Sequence, residues 1–161
     1  MPQDDAQQRQ GSEQGDDKQF VVFQVAGEEY GVDALRVLEI TGVSAITRVP
    51  YAPSFVRGVS HLRGTIMPVM DLRLRLGFPE MEYGRYTSMI VLQNDEGIFG
   101  FIADTVDDML SLPEASIMAP QDMGMKAGAG LIRGMVMLEG RMIMLLDVDR
   151  LFVAEEIGGR S

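Results

Sequence analysis

Hydrophobic and polar positions along the chain fall into short blocks rather than one long helical stripe. Residues 2–19 are almost all Gln, Asp, Gly, Ser and Glu. Nothing in them offsets the entropy of ordering a backbone, and residues 1–18 read as a disordered acidic and polar tail. From Phe20, FVVFQVAG is rich in β-branched and aromatic residues, and EEYGVD (28–33) returns as a second strand, so the pair reads as a hairpin. ALRVLEI (34–40) fits a helical turn or an irregular strand, because Leu35, Val37, Leu38 and Ile40 serve either period. RVPYAPSF (48–55) is an ordered extended turn set by Pro50 and Pro53. GTIMPVMDL (64–72) resumes strand character, with Pro68 favouring an edge or a bulge. MDLRLRLGF (70–78) ends in a short helical or strand-like segment closed by Gly77, and PEMEYGRY (79–86) is a polar connection.

Two internal matches set the architecture. Displaced by 69 positions, FVVFQVAGEEYGV (20–32) lies on MIVLQNDEGIFGF (89–101) without a gap, bringing Val22 to Val91, Gln24 to Gln93, Tyr30 to Phe99 and Gly31 to Gly100. Displaced by 76, FVRGVSHLRGTIMPVMDL (55–72) lies on LIRGMVMLEGRMIMLLDV (131–148), where Arg57/Arg133, Gly58/Gly134, Leu62/Leu138, Gly64/Gly140 and Asp71/Asp147 are identical. Matches in the same order mean a duplicated unit of short strands separated by turn glycines and prolines, hence two similar small β-barrels or sheets. Neither half buries much alone, so the halves are expected to share or press together their cores.

Charge and composition then remove whole classes of function. Fourteen Lys and Arg against 24 Asp and Glu give a formal net charge of −10, a field that repels phosphate backbones and anionic membranes. Nucleic acid is therefore not an expected partner. The absence of cysteine removes disulfides, thiolate nucleophiles and thiolate metal sites together, and fits a reducing compartment. No apolar run approaches the roughly 20 residues that cross a bilayer, and the N-terminus lacks the basic-then-apolar layout of a signal peptide. A cytoplasmic protein with no direct membrane insertion is expected.

The run x-V-P-x-x-P-x-F-V-x-G-V-x-x-L-R-G-x-I-x-P-V-x-D-L-R occupies Arg48 to Arg73. Together with EEYGVDALRVLEI, FGFIADTVDDMLSLPEASI and LIRGMVMLEGRMIMLLDVDRLF, it resembles the CheW family, the chemotaxis coupling proteins, from about Phe20 to Phe152. One departure is plain: His61 stands where the family usually has Asn before Leu-Arg-Gly. The resemblance implies an all-β fold with a few short helices, built as two intertwined five-stranded SH3-like barrels, here approximately 20–80 and 85–152 within a domain spanning 19–157. It implies no catalysis, cofactor or metal. It implies a scaffold, monomeric in isolation, that links the cytoplasmic tip of chemoreceptors to the regulatory domain of a CheA-type histidine kinase in arrays at the inner membrane. A same-fold adaptor in a twitching-motility or surface-sensing pathway is a second reading. A small-molecule-binding or hydrolytic double barrel is a third; it predicts a deep polar pocket, where an adaptor predicts flat apolar grooves with charged rims.

Individual residues carry the remaining expectations. Asp71 and Asp147 occupy equivalent places, as paired catalytic carboxylates would. However, they stand in Asp-Leu-Arg and Asp-Val-Asp, leading into apolar segments, and read as residues that pin turns. His61 is the only histidine, which excludes a multi-histidine metal site, and it is expected to keep one hydrogen bond in its turn. Of 13 methionines, Met67, Met70, Met135, Met137, Met142 and Met144 read as core filling, and Met109, Met118, Met123 and Met125 as loop residues of an adaptable surface. GMKAGAG (124–130) lacks the spacing of a phosphate cradle and reads as a loop. Arg63, on a hairpin turn, has Glu39 as its best partner. The pair either braces the turn or, as the resemblance implies, borders a docking surface. A groove for the receptor's helical tip would be lined by Val32, Val37 and Ile40 from the first repeat and by Ile102 and Val106 from the second, unless all five are core. For the kinase, the resemblance implies that the second repeat supplies a barrel end, with Pro120, Asp122 and Met123 of the PQDM loop adding a contact.

Overall fold

The computed structural model describes residues 17–120 and 130–152. The expected tail lies outside them as far as residue 16, while Asp17 and Lys18 already pair with Pro113 and Leu112. The first repeat forms β1 (Asp17–Val25), β2 (Glu28–Asp33), β3 (Val37–Gly42), β4 (Val56–Leu62) and β5 (Thr65–Asp71), closed by the single-turn helix α1 (Leu72–Arg75). The second forms β6 (Ser88–Asn94), β7 (Gly97–Ala103), β8 (Thr105–Pro113), β9 (Ile132–Leu138) and β10 (Arg141–Leu146), closed by α2 (Val148–Leu151). The ambiguous stretch 34–40 divides: Ala34–Arg36 is one 3-10 turn capped by the Asp33 carboxylate, and β3 follows.

Strand order shows how the repeats interlock. One sheet runs β8-β1-β2-β10-β9 and the other β3-β6-β7-β5-β4. Under the duplication these are the same order, and each sheet joins two strands of one repeat to three of the other. The joints between repeats include the parallel pairs β2·β10 and β5·β7. The boundary near residues 80–85 therefore separates sequence repeats, whereas each sheet crosses it. Hydrogen-bond ladders make two five-stranded sheets rather than barrels paired all the way round. In each, the chain leaving one edge strand touches the other edge at a single bridge, Thr47 on Val59 and Met118 on Met135.

Turn chemistry and burial explain these elements. Arg63–Gly64 and Glu139–Gly140 hold φ of 51°, 82°, 50° and 83°, the left-handed pair that a two-residue turn needs to match strand twist. Gly58 lies under the Thr47 bridge, where a Cβ would stand 2.0 Å from the Thr47 carbonyl oxygen. Pro68 lies within β5, between β4 and β7, rather than on an edge strand; it just precedes Val69, where pairing with β7 begins.

Side chains alternate between three clusters. Phe20, Leu112, Val136, Ile143 and Leu145 fill one sheet, and Met67, Val69, Met89, Val91 and Ile102 fill the other. Between the sheets a larger seam gathers Phe23, Tyr30, Val32, Met70, Ile90 and Phe101 with their neighbours. Met67, Met70 and Met135 are core, as expected; Met137 and Met142 are half exposed opposite one another on β9 and β10, and Met109 lies in β8 rather than a loop.

Candidate functional site

The β4–β5 hairpin presents Arg63 at its tip. The guanidinium forks onto Glu39 of β3, with Nε donating to Oε1 at 2.8 Å and Nη2 to Oε2 at 3.1 Å. This charge-assisted pair, with the hydrogen bond as its largest effect, holds the Glu39 carboxyl below the usual carboxylate range. The Arg63 side chain remains 75% exposed, so water screens the pair and its contribution to stability is small. Next to it, β3 turns apolar residues outward: Leu38 is 51% and Ile40 43% exposed. Leu38, Leu62, Met67, Val91 and Ile98 line a groove of about 380 Å³ edged by Glu39 and Arg63. An exposed fork bordering an apolar groove is what a docking surface requires and what a folding core does not.

The other expected residues divide between surface and interior. Val32 is fully buried in the seam, and Val37 and Val106 are half buried against the same seam. Ile40 faces Ile90 of that seam across the β3–β6 ladder and remains half exposed. Ile102 points the other way, into the sheet interior with Met89, because the strand alternation gives its neighbours Phe101 and Ala103 to the seam. The structure thus joins Val32, Val37 and Val106 in one cluster and Glu39 with Arg63 in a pair, with Ile102 apart. Pro120 is half buried after the Met118 bridge; Asp122 and Met123 lie outside the described residues.

The two equivalent aspartates are structural. Asp71 Oδ1 accepts the Arg73 amide at 3.0 Å, and Asp147 Oδ1 the Asp149 amide at 3.0 Å, each capping a short helix. Asp71 is buried and also accepts the Tyr83 hydroxyl at 2.8 Å. Burial first, and that hydrogen bond second, push the Tyr83 phenol well above its usual range. Among the described residues no group of three or more His, Asp or Glu side chains is placed to hold a metal ion, and no helix is long and apolar enough to cross a membrane.

Sequence reasoning missed a second fork. Arg141 binds Glu29 through two 3.0 Å hydrogen bonds at the equivalent hairpin of the second repeat. Glu139 stands there in place of Arg63, and Arg141 in place of Thr65. The device recurs on shifted positions, so alignment of identities hides it. Also unforeseen is the fastening of α2: Arg36 forks onto Asp149 at 3.0 Å, and Asn94 Nδ2 reaches the carbonyls of Val148 and Phe152 at 3.3 and 3.2 Å.

Comparison with known proteins agrees with this geometry. The family model described as the CheW-like domain matches residues 19–156. The chain is 34% identical over 140 residues to the chemotaxis protein CheW of Klebsiella aerogenes, covering 87% of this chain and 84% of that one. It is 33% identical over 137 residues to protein FrzA of Myxococcus xanthus, covering 84% and 85%. The crystal structure of the scaffolding protein TtCheW from Thermoanaerobacter tengcongensis superposes with a TM-score of 0.77 at 30% identity, covering 86% of this chain and 94% of that one. Motif, interlocked duplicate sheets and these relatives converge on one assignment: the chain belongs to the CheW-like domain family.

Proposed function

We propose that the chain is a non-enzymatic scaffold coupling the cytoplasmic tip of chemoreceptors to the regulatory domain of a CheA-type histidine kinase. It acts as one unit over residues 19–157, with sequence repeats of approximately 20–80 and 85–152 interlocked in both sheets, monomeric in isolation and recruited in the cytoplasm to receptor arrays at the inner membrane. One observation carries this reading: the Arg63–Glu39 fork beside outward-facing Leu38 and Ile40 and an apolar groove. An amphipathic receptor helix lays its apolar stripe against such a groove, with Ile102 buried behind Met67 and Val91 of its floor and with Val32, Val37 and Val106 reached only where the contact extends to the seam. Arg63 then meets a receptor carboxylate as a fork already held in place, which lowers the entropy lost on contact. The kinase takes the second repeat, with Pro120, Asp122 and Met123 adding a contact.

The test is titration of a receptor signalling fragment and of purified kinase against Arg63→Ala. The variant is expected to melt within a few degrees of the parent, to bind receptor at least several-fold more weakly, and to fail to restore receptor-dependent kinase activation. Unchanged binding of both partners would place the docking surface elsewhere.

A further inference from the structure

One face of the β9–β10 hairpin is built from thioethers. Met142 stands opposite Met137 and Met144 opposite Met135 in the ladder, and Met118 bridges to Met135 from the other side. Paired residues project to the same face of a sheet and residues two apart share it, so the five side chains lie together. Val136 and Ile143 take the opposite face, in the sheet interior. Met135 is buried and Met144 packs on the seam, whereas Met118, Met137 and Met142 are 40%, 55% and 49% exposed.

The fold does not ask for sulfur at these places. Under the duplication they correspond to Thr47, Val59, Pro68, His61 and Ile66 of the first repeat, which pair in the same way and carry no thioether. Thiolates are the usual first target of peroxides, and the chain has no cysteine, so exposed thioethers are its accessible oxidisable sulfurs. The other exposed methionines among the described residues stand apart. Met81 lies on the connection before β6, and Met109 on β8, at the opposite edge of the sheet from β9.

We propose that Met137 and Met142 form a peroxide modification site whose oxidation releases the kinase. The proposal rests on the reading that the kinase takes the second repeat. A sulfur lone pair attacks the terminal oxygen of a hydroperoxide, the S–O bond forms as the O–O bond breaks, and the proton of the attacked oxygen passes to the departing one, which leaves as water or an alcohol. The thioether gives up the electron pair that the peroxide gains, and the product is a sulfoxide. An adaptable apolar side chain thereby becomes a polar one, whose oxygen has to be desolvated when a partner covers the face. Because both side chains are half exposed and not part of the core, the change alters the surface and leaves the sheets intact. A bound kinase covers the sulfurs, so the free chain is the form that reacts.

The test treats the full-length protein and a Met137→Leu/Met142→Leu variant with hydrogen peroxide and titrates each against purified kinase. Fragment mass spectrometry is expected to find added oxygen on Met137 and Met142 before the buried Met67, Met70 and Met89. The oxidised parent should keep its dispersed amide spectrum and bind kinase several-fold more weakly, with binding restored by methionine sulfoxide reductase. The leucine variant should bind as the untreated parent does, before and after peroxide, although its Met81 and Met109 are oxidised equally. Met137→Gln/Met142→Gln, which places a polar side chain there without oxidant, should reproduce the weakened binding. Unchanged binding by the oxidised parent, an equal loss in the leucine variant, or a collapsed amide spectrum overturns the inference while leaving the docking reading in place. An untreated parent that binds no kinase overturns the docking reading itself.

Discussion

Arg63 occupies a left-handed backbone position that costs a side-chain-bearing residue on the order of 1 kcal/mol. A glycine or asparagine would fit the turn better, so its guanidinium is retained for what it contacts rather than for the turn. The contact can be read by titration. Arg63 hydrogen-bonds the charged form of Glu39 and lowers its folded pKa below the ordinary 4.5. The pair's contribution is therefore fully present above 4.5 and is lost as pH falls through the lower folded value. Arg63→Asn keeps a residue that tolerates the turn and removes the fork, so the Glu39 carboxyl signal should titrate at higher pH than in the parent in carbon-detected NMR. An unmoved midpoint would mean that the fork does not persist in solution. The same logic separates docking from pH sensing, since the pair is intact throughout the neutral range.

Gly58 and Gly134 are identical in the repeat, yet the elements around them ask different things of them. At Gly58 the chain leaving β3 crosses directly over β4, φ is +142°, and an added Cβ meets backbone atoms of Thr47 and Arg48 at 2.0 to 2.9 Å. At Gly134 the nearest atom is the movable Ile117 methyl at 2.6 Å, with the Met118 carbonyl oxygen at 3.1 Å. Gly58→Ala should therefore lower the melting temperature clearly, by about 2 kcal/mol or more of stability, and Gly134→Ala by less. Equal melting curves for the two would contradict this account. The same elements show what a linear sequence discloses. Hairpins, the helix-capping aspartates and the duplication were legible because turn glycines and period-two alternation are local signals. Arg63 with Glu39 was legible because each stood at a short strand or turn with few competitors. The placement of Ile102 was not, because its alternation names a face but not whether that face meets the seam or the sheet interior. Arg141 with Glu29 was hidden for a related reason, since an ion pair satisfies geometry and not sequence register.

The interlocking of the repeats has a consequence for the whole chain. Within the first repeat β1 and β2 pair with each other, and β4 with β5, but the remaining neighbours of β1, β2, β3 and β5 are β8, β10, β6 and β7. Residues 17–86 alone would thus expose two hairpins, the seam faces of Phe23, Tyr30 and Met70, and several unpaired strand edges. Two-stranded ribbons are marginal in water, and exposed edges recruit other strands. Each repeat expressed alone should give a poorly dispersed amide spectrum at low concentration, while the two mixed together should restore the dispersed spectrum of the intact chain. Because both sheets have the same order under the duplication, one repeat could also complete itself with a second copy of itself. Folding of an isolated repeat should therefore appear only with concentration-dependent dimerisation in sedimentation. A dispersed spectrum from a monomeric repeat would show that the shared seam is dispensable, and the interlocked sheets would no longer explain why the chain behaves as one unit.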